Sequence, residues 1–420
     1  QGFGFDISKR LLESGASVII WDNDSKATEK AIKDLNNPNL SSHVVDVSNY
    51  GEVDKTVKEI TKNTVKWDLK EFPCEKYNKV QHTVDLMIML GTSFDTDSIK
   101  QWKLMGPNRK VIKYHCGNNY VIDMERSIFP KKGHRNSGAA AYQRGCMDEI
   151  WYVPQQGHQN RAYYSVLYDL PLEKVIPVPF IWDPHFLDIE ISNFERIIEK
   201  VGTQAYGIPI YVPGKDKQNL KFCVFEPNLN VVKFNMLPMM IVEQWKRDGN
   251  KLDSLNLMSS QGLITNSYWK SIITTFDLTK PGDTDIKTYG RSPVAVTLAK
   301  HADVVVSHQW HNPLNYAYLD TLYLQYPLIH NADMIQDAGY YYKDFDIKEG
   351  YDKLKLAIET HDDTLEEYNE RSENVLSRYC VDHNRGLLKT YIKLLKDLMS
   401  GERTSNLSYD YDWKTNLYKK

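Results

Sequence analysis

The chain has 420 residues, with 52 basic against 55 acidic residues and a formal net charge of −3. This balance excludes a strongly basic chain and gives no sign of electrostatic binding to nucleic acid or to an anionic membrane. The length predicts two or three domains, each large enough to bury its own core.

No apolar run approaches 18 residues and no signal-peptide pattern is found, so the sequence predicts a soluble, cytoplasmic protein without a membrane span. Five cysteines are scattered without C-x-x-C spacing, which predicts reduced thiols and neither disulfides nor a zinc site. There is no H-E-x-x-H motif, and Asp95-Thr96-Asp97 lies at a predicted helix start, where acidic residues are common. We therefore expect no bound metal.

Residues 1–64 read as helix, strand, helix, strand, helix, with VIIW and SSHVVDV as the strands. Gly2 and Gly4 fit the end of a phosphate-binding turn, Asp22 follows a strand, and Asp46 begins an acid–valine pair. In these positions the segment resembles the front of a short-chain dehydrogenase with an NAD-binding Rossmann fold. The first strand, the N-N-A-G stretch and the Tyr-x-x-x-Lys pair are missing. We interpret residues 1–64 as a truncated dehydrogenase-like βα segment that serves as a scaffold.

Residues 65–190 alternate strands with helices of 10 to 15 residues, which predicts a parallel sheet. Loops with small or polar residues follow these strands, among them His115 and the pair Gln155-Gln156. Because ligands bind outside the carboxyl ends of parallel strands, we expect these loops to face a cleft. A basic, turn-rich stretch around His134 reads as a loop, which we expect near the same face.

Residues 191–400 repeat this alternation and predict a second parallel-sheet domain. NLKFCVFEPN is a strand and a loop, and we expect Lys233 to lie one turn inside the following helix. Glu226, in that loop, could bind substrate or cap the helix. Arg291 lies in a loop before another predicted helix, where a phosphate could bind. Three long helices are predicted at about 349–360, 363–378 and 383–399, and the polar tail 401–420 is expected to pack loosely.

The stretch from Ala302 to Asn331 is the one around which the rest of the chain is organised, with a polar loop between two predicted strands. VVV is a predicted buried strand, a loop follows it, Pro313 suits the first turn of a helix, and PLIHN is a second strand. Strand, polar loop, helix and strand form the unit of a doubly wound sheet, and its loop meets a helix N-terminus that favours anions. The polar side chains expected at the rim of this crevice are His308, His311, Asn312, Asn315 and Asn331.

Asp320 follows Asn312 by eight residues, a spacing that is similar to the E-x7-E pattern of GT-B glycosyltransferases. Here the second acid is matched and the first is replaced by asparagine. The phrase "NPLNYAYLD…YPLIHN…GYYY" resembles a group of glycosyltransferase-like phage and bacterial proteins, over about residues 85–399. The resemblance implies an α/β fold of GT-B architecture, with two Rossmann-like parallel-sheet domains facing a cleft and long C-terminal helices.

The same resemblance implies a glycosyltransferase that moves a sugar from a nucleotide-diphosphate donor to an acceptor hydroxyl without a metal or a tightly bound cofactor. Asp320 would hold the ribose, and Lys233 with Arg291 the phosphates. The polar rim residues of the crevice would line the sugar. For an inverting reaction, the candidate bases in the first domain are His115, Asp95 and His134.

Two alternatives stay open in the sequence. The first is an NAD-dependent oxidoreductase of the short-chain dehydrogenase type, suggested by residues 1–64. The second is a non-catalytic nucleotide- or carbohydrate-binding protein, suggested by asparagine at position 312. The acceptor, the donor's sugar and base, the stereochemical course and the oligomeric state stay open as well.

Overall fold

The computed structural model divides the chain into two compact units, residues 1–81 and 82–420. The residues that the structure describes are 8–9, 12, 18–22, 24–38, 40–44, 75–90, 94–129, 143–201, 208–228, 230–280, 285–401, 411–412 and 414–418.

The first unit contains a short strand–helix–strand motif. Strands β1 (Val18–Asp22) and β2 (Leu40–Val44) pair in parallel, and helix α1 (Ser25–Leu35) connects them. The Asp24 side chain caps α1 by accepting the backbone N–H groups of Lys26 and Ala27. Helix α2 (Tyr77–Val80) ends the unit. The glycines and the acid–valine pair behind the dehydrogenase resemblance lie outside the described residues.

The second unit begins with a four-stranded sheet of strand order β3-β4-β5-β6, in which every pair is parallel. Buried apolar side chains such as Val111, Ile112 and Ile150 hold its strands between helices. Its elements are β3 (Leu86–Leu90), α3 (Thr96–Leu104), β4 (Lys110–His115), α4 (Asn119–Ile128), β5 (Glu149–Tyr152), α5 (Gly157–Tyr168), β6 (Val175–Pro177) and α6 (His185–Val201).

A six-stranded parallel sheet follows, with strand order β12-β11-β10-β7-β8-β9. Strand β7 pairs with β8 on one side and with β10 on the other, so the strand order reverses between β7 and β10. Such a switch point opens a crevice at the carboxyl ends of the two strands. The elements are β7 (Lys221–Val224), α7 (Met236–Arg247), β8 (Ser254–Leu257), α8 (Ser267–Ile273), β9 (Asp285–Thr288), α9 (Val294–His301), β10 (Val304–Val306), α10 (Tyr316–Tyr323), β11 (Leu328–His330) and β12 (Tyr340–Tyr341).

Three long helices follow the second sheet, close to where the periodicity predicts them: α11 (Ile347–Thr360), α12 (Leu365–Tyr379) and α13 (Arg385–Ser400). Helix α13 returns to the first sheet, where Leu394 and Leu398 pack with Ile112, Trp151 and Ile176. Within the described residues, no helix combines the length and the apolar character needed to cross a membrane.

The described part of the tail, residues 411–412 and 414–418, is packed, whereas the sequence predicts loose packing. Strands β13 (Tyr411–Asp412) and β14 (Leu417–Tyr418) form an antiparallel pair. Between them, the fully buried Asn416 side chain accepts the N–H of Phe180 and donates to the carbonyl oxygens of Phe180 and Arg378. These bonds attach the described part of the tail to the rest of the second unit.

Two predicted helix starts were wrong. Lys233 precedes α7, because the Asn230 side chain accepts the N–H groups of Val232 and Lys233 and forms a turn there. Pro313 precedes α10, which begins only after Asn315, whose side chain accepts the N–H of Ala317 as an N-cap. Both corrections place polar side chains in loops at the carboxyl edge of the sheet.

Candidate functional site

The switch point of the second sheet contains a buried carboxyl group. Glu226 follows β7 and is 2% exposed, and its Oε1 accepts the hydroxyl of Tyr318 at 2.8 Å. Burial raises the pKa of Glu226 to about 7, while the Tyr318 hydrogen bond and the charge of Lys233 oppose the rise. Glu226 does not cap α7, which was one of its two predicted roles.

Lys233 lies in the turn between β7 and α7 and brings a cation to this edge. Burial lowers the pKa of its ammonium group, the Glu226 carboxylate raises it, and the charge of Arg291 lowers it. Arg291 itself is exposed in the loop between β9 and α9. The structure thus brings the two predicted phosphate-binding side chains within electrostatic reach of each other.

Loops from both sheets line one cavity of about 580 Å³, which we call the cleft cavity. The first-sheet loops contribute the residues that follow β4 and β5. The second-sheet loops contribute Lys233 and the residues that follow β10, as the crevice rule predicts. Side-chain amides dominate the polar part of the lining: Asn118, Gln155, Gln156, Asn230, Asn312 and Asn315.

The two walls of the cleft cavity touch each other through amide side chains. Gln155 Nε2 donates to the Leu314 carbonyl oxygen at 3.4 Å, and Asn118 Nδ2 donates to the His311 carbonyl oxygen at 3.5 Å. Each of these bonds joins a first-sheet loop to the loop between β10 and α10. Both are long, so they stabilise the contact weakly.

Asp320 faces a neighbouring cavity of about 360 Å³, the side cavity. Trp182 Nε1 donates to its carboxyl oxygen at 2.8 Å. Burial raises the pKa of Asp320 to about 7, against the lowering effect of the Trp182 hydrogen bond, and the negative charge of Glu190 adds to the rise. Tyr316 and Ile181 line both cavities, so the two spaces adjoin at these side chains.

The residues predicted between β10 and the end of β11 divide into two groups. Asn312 and Asn315 line the cleft cavity. Asn331 instead holds the loop, because its amide accepts the Gln309 N–H at 2.9 Å and donates to the Gln309 carbonyl at 2.8 Å. His311 is exposed, with a φ angle of +53°, at the point where its carbonyl meets Asn118.

His308 belongs to a third, largely apolar cavity of about 670 Å³. Its ring is 4% exposed, packs 4.6 Å from the Phe345 ring, and places Nδ1 3.1 Å from the Tyr342 hydroxyl. Burial lowers the pKa of His308 to about 4, so the imidazole is neutral at pH 7. The structure does not bring it to the lining of the cleft cavity.

None of the three candidate bases is placed in the cleft cavity by the described residues. The His115 ring stacks 4.3 Å from the Tyr164 ring, and its Nε2 lies 2.9 Å from the Tyr168 hydroxyl. Burial lowers the pKa of His115 to about 3. Asp95 is an exposed N-cap of α3, and its hydrogen bonds from Ser98 lower its pKa. His134 lies outside the described residues.

Sequence reasoning placed Gln155 and Gln156 beside the cleft but did not choose them as site residues. It missed Tyr316 and Tyr391, whose rings also line the cleft cavity. The sequence did indicate the two glutamines as possible site residues, because they directly follow a predicted strand. Across the described residues, no group of three or more His, Cys, Asp or Glu side chains is placed to hold a metal ion.

The fold is similar to that of several solved structures. For the N-terminal domain of Candida albicans trehalose-6-phosphate phosphatase, the TM-score is 0.50 at 13% identity, over 96% of this chain and 94% of that one. For Anabaena HepE in complex with UDP-glucose, the TM-score is 0.46 at 11% identity, over 94% of this chain and 96% of that one. For a glycosyltransferase from Rickettsia africae, the TM-score is 0.44 at 11% identity, over 94% of both chains.

Two parallel sheets that face one cleft, with a C-terminal helix returning to the first sheet, form the GT-B architecture, so the predicted fold class is confirmed. No curated protein matches the sequence. One family model matches residues 17–395, which include most of the segment that resembles a dehydrogenase. That resemblance stays a prediction. The chain belongs to the family described as "Protein of unknown function (DUF2827)".

Proposed function

We propose that this chain is a glycosyltransferase that moves a sugar from a nucleoside-diphosphate donor to an acceptor hydroxyl. The observation that carries the proposal is the position of Lys233. Its ammonium lies at the switch point of the second sheet and lines a cavity that both sheets share. Switch points are where doubly wound sheets bind their ligands, and a lysine there attracts phosphate as a point charge.

In this proposal the donor extends across two adjoining cavities. Lys233, assisted by Arg291, binds the diphosphate at the cleft cavity. The ribose enters the side cavity, where the Asp320 carboxyl accepts its hydroxyls. Tyr316, which lines both spaces, lies between the two subsites. The distribution of charge supports binding of the diphosphate at the cleft cavity, since the described lining of that cavity includes Lys233 and no acidic side chain.

The remaining predicted residues take supporting roles. Asn312 and Asn315 contact the sugar from the second-sheet wall, while Asn331 and His308 hold the loop that presents them. His311 lies at the contact between the walls. The charges of Lys233 and Arg291 stabilise the leaving diphosphate, so the proposed reaction does not depend on a divalent metal. Asp95 caps α3 outside the cleft cavity, so His134 stays the first-domain candidate for a base.

A second candidate is a non-catalytic protein that binds the same nucleotide-sugar. Asn312 stands where the E-x7-E pattern has its first acid, and it lines the cleft cavity as an uncharged amide. An amide can bind a sugar hydroxyl but cannot act as a carboxylate in the reaction. Donor turnover separates the two candidates: a glycosyltransferase releases UDP or GDP from its donor, and a binding protein does not.

The test is a thermal-shift panel with UDP, GDP, ADP and NAD. A ligand that binds only the native state stabilises it by about 2.7 kcal/mol at a hundredfold excess over Kd. We expect one nucleoside diphosphate to raise Tm in the wild type and in the control Lys251→Met, which changes an exposed lysine. Lys233→Met should lose most of the shift.

Two results would contradict the proposal. One is a shift with NAD alone, which would favour the oxidoreductase alternative. The other is a nucleoside-diphosphate shift of equal size in the wild type and in Lys233→Met, because the phosphate would then bind elsewhere. Once the panel has identified the base, release of the diphosphate from the matching nucleotide-sugar measures turnover.

A further inference from the structure

Apolar side chains that are accessible to solvent gather at the third cavity, the one that has His308 in its lining. Phe345, Phe234 and Val231 are 55%, 42% and 40% exposed, and all three line this space of about 670 Å³. Single exposed apolar side chains are ordinary on a protein surface, but a cluster of large ones usually belongs to a binding site. The third cavity is therefore a candidate site for a ligand that covers these side chains.

Segments that are distant in sequence build the third cavity. The turn between β7 and α7 contributes Val231, the loop after β10 contributes Trp310, and the segment between β12 and α11 contributes Phe345. A concave, mostly apolar space of this volume is typical of sites for small organic molecules. The first turns of α7 add flexible apolar side chains to the lining, namely Met236, Leu237 and Met240.

The lining of the third cavity carries little charge. Among its described residues, Glu125 on α4 is the one whose side chain is charged at pH 7, because the buried imidazole of His308 is neutral. A carboxylate or phosphate bound here would meet the charge of Glu125 and no cation in the described lining. Any ionic group would also lose hydration in an apolar space. The lining thus favours an uncharged, apolar ligand group.

The turn between β7 and α7 lies between the third cavity and the cleft cavity. Asn230 lines both spaces, Val231 lines the third cavity, and Val232 and Lys233 line the cleft cavity. The Asn230 side chain fixes this turn by accepting the N–H groups of Val232 and Lys233 at 3.1 Å and 3.2 Å. A molecule in the third cavity therefore reaches the cleft cavity at Asn230, beside the lysine that we propose to bind the diphosphate.

The proposed donor leaves the cleft cavity at other residues. It enters the side cavity past Tyr316 and Ile181, and neither of them belongs to the described lining of the third cavity. The third cavity consequently stays free when the donor is bound. The acceptor still has to be placed, and its hydroxyl has to meet the sugar in the cleft cavity.

We propose that the third cavity binds the apolar, uncharged part of the acceptor, whose hydroxyl extends past Asn230 into the cleft cavity. This inference rests on the proposed function for the role of the acceptor. It names the substrate class as an alcohol or glycoside with an alkyl or aryl body, in contrast to a fully hydroxylated glycan. In the transfer, the acceptor oxygen bonds to the anomeric carbon of the donor. The bond from that carbon to the diphosphate breaks with its electron pair on the diphosphate, and the hydroxyl proton passes to water or a base.

The direct test uses N-phenyl-1-naphthylamine, an uncharged probe whose fluorescence rises in apolar surroundings. We expect the full chain to bind the probe, and butanol, hexanol and octanol to displace it. Each added methylene should lower the Kd of the alcohol about fourfold, which corresponds to about 0.8 kcal/mol per buried methylene. Octanoate should displace the probe less well than octanol, because its carboxylate is repelled by Glu125 and loses hydration.

Two variants place a charge in the third cavity at side chains outside the buried core. Phe345→Asp and Val231→Asp should each raise the Kd of the probe and of octanol about tenfold. The matched control is Ile264→Asp, which changes an apolar side chain that is 54% exposed and is absent from the described lining of the three cavities. It should keep the wild-type values. The melting temperature of each variant reports whether it is folded.

Three results would overturn the inference. One is a wild-type chain that does not bind the probe. Another is an equal Kd in Phe345→Asp, Val231→Asp and Ile264→Asp, because the probe would then bind elsewhere. The third is a dimer that Phe345→Asp converts to a monomer, since a second copy of the chain would then cover the cavity. Light scattering measures the mass of each form.

Nucleotides separate the acceptor from the donor and keep the two proposals apart. We expect the nucleoside diphosphate that raises Tm to leave the Kd of the probe unchanged. Displacement of the probe by that nucleotide would assign the cavity to the nucleobase, which overturns the inference while the proposed function stands. Probe binding with the expected variant pattern but without any nucleotide shift contradicts the proposed function, and it leaves the apolar site standing without its role for the acceptor. Formation of an octyl glycoside from octanol and the matching nucleotide-sugar, with a higher KM for octanol in Phe345→Asp, supports both proposals.

Discussion

At the residue scale, the buried carboxyl of Asp320 gives stability a specific dependence on pH. Folding raises its pKa from 3.8 to about 7, so the native state binds this proton more tightly than the unfolded chain. Its contribution to stability therefore falls as pH rises from about 4 to about 7 and is level above pH 7. The difference between the two pKa values corresponds to at most about 4 kcal/mol.

Asp320→Asn should remove this contribution. We expect the free energy of unfolding, measured by urea denaturation between pH 4 and pH 8, to fall less steeply with pH in the variant than in the wild type. Glu226→Gln should act in the same direction, because burial also raises the pKa of Glu226 to about 7. The exposed Asp363→Asn is the control. If the free energy of unfolding changed with pH in the same way in Asp320→Asn and in the wild type, burial would not raise the pKa of Asp320.

The sequence predicted single site residues unevenly, and His115 shows why. It ends a strand beside the cleft, as the alternation of strands and helices indicated. Successive side chains of a strand point to opposite faces, however, and here Tyr114 lines the cleft cavity. His115 consequently points to the other face, against Tyr164 and Tyr168. Where a strand is buried on both faces, its sequence pattern does not reveal which of two successive residues faces the ligand.

At the element scale, Gly339 sets how the chain enters β12. Its φ angle is +64°, and a Cβ there would lie 2.8 Å from the His330 ring and 2.9 Å from the Leu328 carbonyl oxygen. Gly339→Ala therefore adds a clash with β11 to the backbone strain of about 1–2 kcal/mol. Gly249, with φ of +85° and open space at its Cβ position, is the matched control.

We expect Gly339→Ala to lower the free energy of unfolding by about 3 kcal/mol or more, since overpacking adds about 1–3 kcal/mol to the strain. Gly249→Ala should lower the free energy of unfolding by about 1–2 kcal/mol, because it adds backbone strain without a clash. Urea denaturation of both variants measures the difference. Equal losses would show that β11 moves freely away from the new methyl group.

Helix existence could be predicted better than helix starts. The apolar spacing around Tyr318 and Leu322 predicts a helix, and α10 contains both residues. The start depends on which side chain caps the first turn, and two candidates compete within a few residues of each other. Pro313 suits a first turn, but the Asn315 side chain accepts a helix N–H and begins the helix later. Local competition of this kind is decided by which side chain accepts the free N–H groups of the first turn.

At the scale of the whole molecule, the resemblance to GT-B glycosyltransferases implied that two sheets face one cleft, and the alternation of strands and helices predicted that both sheets are parallel. It could not give the order of the strands. The proximity of Lys233 and the loop after β10 follows from β7 pairing with β10, two strands separated by about 80 residues of sequence. Long-range pairing is set by how the helices cover both faces of the sheet, and one sequence carries little direct information about it.

Because both sheets line the cleft cavity, we also expect a ligand bound to the second-sheet wall to protect a cysteine on the first-sheet wall from alkylation. Cys116 lies on the first-sheet wall and is exposed, while the other described cysteines, Cys146, Cys223 and Cys380, are buried. Burial raises the pKa of the Cys116 thiol. Because the thiolate is the reactive form, alkylation by N-ethylmaleimide should accelerate as pH rises from 7 to 9. Cys74 lies outside the described residues, so Cys74→Ser is the background for this measurement.

In that background, the nucleoside diphosphate that we propose to bind through Lys233 should slow the alkylation of Cys116 severalfold, although Lys233 and Cys116 lie in loops of different sheets. Mass spectrometry of the labelled peptide measures the rate. Lys233→Met should abolish the protection at the same nucleotide concentration, and Lys251→Met should retain it. Protection that persists in Lys233→Met would mean that the nucleotide reaches Cys116 from the first-sheet wall alone. The two walls would then not act as one site, and the donor would have to be placed on the first sheet.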